Sequence, residues 1–308
     1  MLWARARATW PSFSGLLLIV SIGSLATRQL NWGLDFTGGT LVEVHYSATA
    51  NLHNIRSTLE SEGYAGAIVV SFGSDRDVLI RLPQGYSDKQ GEAMVSLLQA
   101  AFAAQSADGV GSVELRRTEF VGPQVGDELR EQGGLAMLLS IFLVTLYVAF
   151  RFQFKFAVGA VAAMVHDVVI TLGFFSVTGM EFNLTVLAAV LAVIGYSIND
   201  TIVVFDRIRE NFRKLRRAEP AEVMNISITE TLDRTLVTSG TTLLTVIALA
   251  LFGGEMIFGF AIALIVGIAV GTYSSIYVAS AAALWMGVTK EDLMLPVKEG
   301  AVQDDLTP

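Results

Sequence analysis

Hydrophobic and polar positions divide this chain into two unlike parts. Long apolar runs occupy residues 11–27, 133–150, 156–178, 184–205, 235–252 and 257–285. In hydrocarbon every backbone polar group has to be satisfied within its own segment, so runs of this length are read as membrane-spanning helices. The pattern predicts six of them. The first run is short, and Ser24-Leu25-Ala26 has the look of a cleavage site. An uncleaved first span is the preferred reading; a removed signal peptide, leaving five spans, is the alternative.

The polar stretch between the first two runs carries different periods. Residues 41–46 alternate as a strand, and residues 52–62 place Leu52, Ile55 and Leu59 on one helical face. Residues 67–72 and 78–82 are short apolar runs joined by 73–77, which predicts a hairpin. Residues 88–105 carry Met94, Leu97, Leu98, Ala101 and Phe102 at helical spacing, and 113–121 reads as a last strand. The order is β-α-β-β-α-β, the ferredoxin-like pattern. Before it, Gly33-Leu-Asp-Phe-Thr-Gly-Gly-Thr40 predicts a tight turn at the membrane edge. No Lys-Ser/Thr follows it, so it is not a phosphate-binding loop. The expected architecture is an α-helical polytopic membrane protein with a ferredoxin-like α+β domain between the first and second of six transmembrane helices. Its parts are residues 1–29, 30–131, 132–286 with a basic loop at 206–234, and a polar tail at 287–308. Within that loop, Pro220 is expected to open a short amphipathic helix ending near Leu232, apart from the fifth span.

Composition agrees: 53% of residues are hydrophobic, 16% are charged and the mean hydropathy is +0.55. The net charge of −8 matters less than where the positive charges fall. Arg5 and Arg7, Arg151 and Lys155, the cluster from Arg207 to Arg217, and Lys290 share one side of a six-span arrangement. The 179–183 and 253–256 loops carry none. By the positive-inside rule both termini are cytoplasmic and the sheet domain is outside. Trp3 and Trp10 are expected as interface anchors. There is no cysteine, which excludes disulfides and thiolate chemistry, and His45, His53 and His166 lack metal-ligand spacing. No cofactor, metal or nucleic-acid partner is expected.

The candidate chemistry lies inside the apolar runs. Asn199-Asp200 sits in the fourth, where a charge costs a few kcal/mol on insertion scales. Ala188, Ala192 and Tyr196 share the face of Asp200, which predicts a protein-facing or water-facing side. Arg234 enters the fifth run at the membrane end where Asp200 sits, about 5–10 Å of helix rise away in depth. Approach of Arg234 favours ionised Asp200, and withdrawal in a dry site favours the neutral acid, so an alternation of the two would load and release a proton. A permanent salt bridge is the structural alternative. His166-Asp167 in the third run reads equally as a relay or as a hydrogen-bonded support. Asp206-Arg207 reads as an interfacial contact. Ala263, Gly267, Gly271, Ser275, Ala279 and Ala283 recur every fourth residue of the sixth run, a stripe that lets another helix approach closely.

Several motifs in order resemble the SecF family, the smaller membrane subunit of the bacterial SecD–SecF export complex. They are Gly33-Leu-Asp-Phe-Thr-Gly-Gly-Thr40, Phe120-Val-Gly-Pro123, His166-Asp167, Gly195-Tyr-Ser-Ile-Asn-Asp-Thr-Ile-Val-Val204 with Asp206-Arg-Ile-Arg-Glu-Asn211, and Leu236-Val-Thr-Ser-Gly-Thr-Thr242. The resemblance implies a multi-pass protein of the bacterial inner membrane with a periplasmic ferredoxin-like domain. Implied partners are SecD, the SecYEG channel, YajC and YidC, preproteins emerging in the periplasm, and membrane lipid. The implied activity is non-enzymatic: the proton-motive force promotes preprotein translocation. The resemblance ties Asp200 and Arg234 to proton transport, with a further aspartate in SecD, and places Asp35, Gly38 and Gly39 where the domain meets the membrane. Rival readings are a proton-coupled small-molecule exporter, an intramembrane aspartyl protease pairing Asp200 with Asp167, and an inert scaffold for SecD.

Overall fold

The computed structural model describes residues 10–83, 86, 88–105, 112–152, 154–215 and 217–288. Trp3, Arg5, Arg7, Arg216, Lys290 and the tail from 289 onward lie outside them. The elements run α1 Trp10–Thr27, β1 Asn31–Trp32, α2 Leu34–Thr37, β2 Gly39–Tyr46, α3 Leu52–Ser61, β3 Ile68–Phe72, β4 Ser74–Leu82, α4 Asp88–Gln105 and β5 Val113–Val121. Then follow α5 Pro123–Arg151, α6 Phe154–Thr178, β6 Glu181–Phe182, α7 Leu184–Lys214, α8 Pro220–Phe252 and α9 Glu255–Trp285.

Strands β2 to β5 form one antiparallel sheet in the order β3-β4-β2-β5, the ferredoxin-like arrangement. Period-2 burial sets which face is covered. Val42, Val44, Val78, Ile80, Leu82 and Val69 turn toward α3 and α4, where Leu59, Met94 and Leu98 complete a small core. The hairpin is tighter than its sequence predicts. Gly73, at φ 75°, is the single residue between β3 and β4, and β4 begins at Ser74. Strand β4 begins this early because Ser74 pairs with Phe72 of β3 and Asp77 with His45 of β2.

Among the described residues five helices, α5 to α9, are long and apolar enough to cross a membrane. The sixth expected crossing, α1, is shorter, but it is packed along α6. Ser21 fills the space over Gly173, where an added Cβ would stand 2.2 Å from the serine oxygen, and Ser24 Oγ lies 2.8 Å from Ser176 Oγ. Helices α6 and α7 form the buried centre, and α9 packs against both. Phe156, Phe175 and Phe205 are fully enclosed there, and α5 is peripheral.

The basic 206–234 segment is not a loop. Helix α7 continues to Lys214 and α8 starts at Pro220, running without a break into the fifth apolar stretch. The short separate helix expected up to Leu232 is therefore the first third of α8. Both extensions keep an apolar side, with Ile208, Phe212, Val223, Met224 and Ile228 in the bundle core, and polar contacts join their outer sides. Arg207 bonds Glu210 and Glu230 at 2.6 Å each, Asn211 donates to Ser227 at 3.0 Å, and Arg151 grips Asp206 at 3.0 Å. Asp206 and Arg207 thus pair with side chains of α5 and α8.

The small-residue stripe of α9 is buried throughout. A Cβ on Gly267 would lie 2.2 Å from a Val193 methyl of α7. Overpacking of that kind costs about 1–3 kcal/mol. Gly267→Ala therefore lowers the thermal midpoint of the detergent-purified chain. Gly240→Ala on α8, where nothing lies within 4 Å, leaves it unchanged or raises it slightly. Equal shifts for the two would show that the stripe is not a packing contact.

Candidate functional site

Side chains from three helices meet on one buried carboxyl, and a fourth helix reaches it through a histidine. Asp167 of α6 is 1% exposed. Its Oδ2 accepts from Ser197 Oγ of α7 at 2.6 Å and from Ser274 Oγ of α9 at 2.7 Å. Its Oδ1 lies 3.0 Å from His166 Nδ1, and His166 Nε2 lies 2.6 Å from Ser14 Oγ of α1. Adjacent side chains diverge on a helix, so contact within the His166-Asp167 pair does not follow from its spacing; here the imidazole closes the gap. With the ring proton on Nδ1, Asp167 holds three donors and Nε2 accepts from Ser14.

Asp200 of α7 is almost as buried, at 4% exposed, but is held far less. One hydroxyl reaches it among the described residues: Ser239 Oγ of α8, 3.3 Å from Oδ2. Ser239 in turn receives Thr272 Oγ1 of α9 at 2.8 Å, and Tyr196 stands 3.4 Å from Thr242. Arg234 is exposed and makes no ion pair with Asp200 within 4.0 Å, so the permanent salt bridge is not formed. Asn199, Ala192 and Ala188 are exposed on the adjoining face of α7. Asp200 and Asp167 share no hydrogen-bond partner. The opposed carboxyl pair that a protease needs is absent among the described residues.

The third candidate set lies at the other end of α7. Asp35 of α2 accepts the Leu184 amide proton at 2.8 Å, and Asn183 accepts from Val186 N at 3.0 Å. Two side chains therefore satisfy free amides of the first turn of α7, and the carboxylate also meets the positive end of the helix dipole. Beside this cap, β1 pairs in parallel with β6, and Gly33 N donates to Phe182 O at 2.8 Å. Trp32, Phe36 and Phe182 pack edge-on and stacked around the junction. Arg81 of β4 donates to Trp32 O at 3.0 Å and to the Thr37 hydroxyl. The expected tight turn is thus a one-turn helix closed by Gly38 and Gly39, at φ 66° and 129°. A Cβ on Gly39 would stand 2.4 Å from Leu82 O, so this backbone approach admits only glycine.

Residues 102–289 match the family model described as protein export membrane protein SecD/SecF, C-terminal, and residues 23–50 match the SecD/SecF GG motif. The chain belongs to the SecD/SecF family. The protein translocase subunit SecF of Vibrio alginolyticus is 57% identical over 297 residues, 96% of this chain and 93% of that one. The subunit of that name from Pseudomonas aeruginosa is 51% identical over 289 residues, 94% and 92% of the two chains. Among solved structures, SecDF from Thermus thermophilus matches at a TM-score of 0.81 and 39% identity, covering 92% of this chain. SecDF in its super-membrane-facing form matches at 0.67 with the same identity and coverage. The chain spans 38% of the length of each SecDF chain.

The two SecD/SecF segments meet at Asp35. The GG-motif segment supplies the carboxylate, and the C-terminal segment supplies the α7 amide that it caps. The hydroxyls at 14, 197, 239, 272 and 274, and strand β6, are not singled out by sequence reasoning. A signal for the hydroxyls is present, because serine and threonine inside apolar runs seek partners on neighbouring helices. Strand β6 is two residues long and has none.

Removing a cap carboxylate costs about 1 kcal/mol. Asp35→Ala therefore speeds hydrogen exchange at the Leu184 amide about fivefold, with β5 amides unchanged. An unchanged rate at Leu184 would remove the cap from the account. The two membrane carboxyls should also separate. Asp167→Ala strands three donors and lowers stability by about 1–3 kcal/mol, seen as a fall in thermal midpoint. Asp200→Asn leaves the midpoint near that of the wild type.

Proposed function

We propose that this chain is the SecF part of a SecD–SecF assembly that uses the proton-motive force to promote preprotein translocation through SecYEG. In this reading it is a non-enzymatic subunit with both termini cytoplasmic and the sheet domain periplasmic. YajC and YidC are further candidate partners. Asp200 is the proton-carrying carboxyl, Arg234 its movable counter-charge, and His166-Asp167 a support rather than a relay.

The observation that carries this is the contrast between the two buried carboxyls. A change of charge on Asp167 weakens three contacts of 2.6–3.0 Å, two of which tie α6 to α7 and α9. A change of charge on Asp200 touches one hydroxyl at 3.3 Å, which can reverse its bond. Asp200 also adjoins the open face with Asn199. A polar side chain facing hydrocarbon is costly, so that face calls for a polar cover. A neighbouring SecD is the cover that the SecDF chains suggest. The sheet domain enters through α7: its N-terminus is tied to Asp35 and the strap of β1 and β6, and Asp200 lies about 24 Å along it. Swinging a two-state element from 1:99 to 99:1 takes about 5.5 kcal/mol. One charge moving through 100 mV supplies about 2.3 kcal/mol, so about two to three protons per stroke suffice.

The test is preprotein translocation into inverted membrane vesicles carrying SecD at matched expression, with and without a proton gradient. Asp200→Asn and Arg234→Met lose the gradient-dependent gain and keep the gradient-independent rate. Full gain in both variants would leave a scaffold for SecD as the surviving function.

A further inference from the structure

A groove opens where the apolar part of α5 begins. Its walls are Trp32, Met137, Leu172 and Leu187, with Gly134 at the opening and Arg130 at the mouth. Its volume is about 110 Å³. That space would admit water, but an ordered water needs two to four polar partners and these walls offer almost none. A helix is about 10–12 Å across and does not fit; a single hydrocarbon chain does. The groove exists because two glycines stand side by side. A Cβ on Gly133 would lie 2.6 Å from a Leu187 methyl, and the space over Gly134 is empty.

The charges at the mouth are arranged in series. Arg130 lies 5.8 Å above the Trp32 ring and pairs with no acid among the described residues. Asp127 sits three residues earlier on the same face, about 4.5 Å nearer the sheet domain, and is likewise exposed and unpaired among the described residues. Of the neighbouring acids on α5, Glu128 is engaged by Gln132 at 2.8 Å, and Glu131 follows Arg130 about 100° around the helix. A cation at the hydrocarbon edge with an anion one turn outward complements a zwitterion whose phosphate lies deeper than its amine. We propose that this groove is a binding site for a phospholipid with a primary-amine headgroup. Its phosphate lies on Arg130, its ammonium on Asp127, and an acyl chain runs past Gly134. The bound lipid rests on Trp32 and so braces the strap that joins the sheet domain to α7. This site is independent of the proton-carrying role of Asp200.

The experiment is native mass spectrometry of the full chain in mild detergent, offered phosphatidylethanolamine, phosphatidylglycerol, or glycerol phosphate without acyl chains. The wild type retains one phosphatidylethanolamine, preferred about fivefold over phosphatidylglycerol, and no glycerol phosphate. Arg130→Gln lowers retention of both lipids about tenfold, as loss of a charge-assisted phosphate contact does. Asp127→Asn keeps a bound lipid but abolishes the preference. Gly134→Leu fills the groove and retains neither lipid. Thermal midpoints near that of the wild type show that the variants fold, and the two exposed positions, 130 and 127, decide the matter if Gly134→Leu does not. Equal retention of both lipids by the wild type, or the wild-type pattern in Arg130→Gln and Asp127→Asn, overturns the proposal. Retention of glycerol phosphate would reduce the site to phosphate binding alone.

Discussion

The hydrogen bonds gathered on Asp167 determine where four helices can stand. Ser197 holds α7 to it, Ser274 holds α9, and His166 carries the connection on to Ser14 of α1. Apolar side chains give no net drive for helix association in lipid, because acyl chains are as apolar as leucine. A buried carboxyl with its donors supplied by different helices is a strong directional alternative, since each donor moved away leaves a charge unsatisfied in a low dielectric. The tie to α1 also makes the short first helix a working part of the bundle, although its length alone is marginal for a span.

The same bundle treats Asp200 in the opposite way. It is nearly as buried, yet it has one hydroxyl at 3.3 Å and an arginine that is not in contact. A carboxyl left so lightly held costs stability, and what it gains is freedom to change state. Helix α7 is the common element: Ser197 locks it, Asp200 rides on it, and Asp35 caps its far end. A rigid helix clamped at its centre transmits tilt rather than stretch. Movement at the strap and change at Asp200 therefore lie on one lever with its pivot at Ser197. This mechanical picture rests on the proposed proton chemistry and gives it a route.

Much of the fold can be read directly from the chain because one constraint dominates each part. Apolar runs mark helices in hydrocarbon, and period 2 with turn residues marks the sheet. The errors fall where that constraint changes. Residues 206–234 look polar enough to be a loop, but Ile208, Phe212, Val223, Met224 and Ile228 join the bundle core and carry both helices beyond the apolar stretch. The hairpin shrank to Gly73 because Ser74 pairs with Phe72 and Asp77 with His45, which draws into β4 residues that sequence alone assigns to a turn. Asp200, Asp167, His166 and Asp35 are conspicuous as charges in apolar or glycine-rich surroundings. Their partners are serines and threonines, which occur in any helix, and only tertiary packing decides which of them are aimed at a carboxyl.

The glycine stripe and the buried polar pair, separate features in the sequence, are one device in the structure. A Cβ on Gly271 would stand 3.1 Å from Ser197 Cβ and 3.5 Å from Asp167 Oδ2. Gly267, one turn away, removes the same obstacle in front of Val193. Without these two positions α9 and α7 could not approach closely enough for Ser197 and Ser274 to share one carboxylate oxygen. Hydroxyl side chains are short, so a hydrogen bond from a serine across a helix interface requires backbones nearer than leucine or valine allows. The small residues thus act twice, by packing the helices and by bringing the donors of Asp167 within reach.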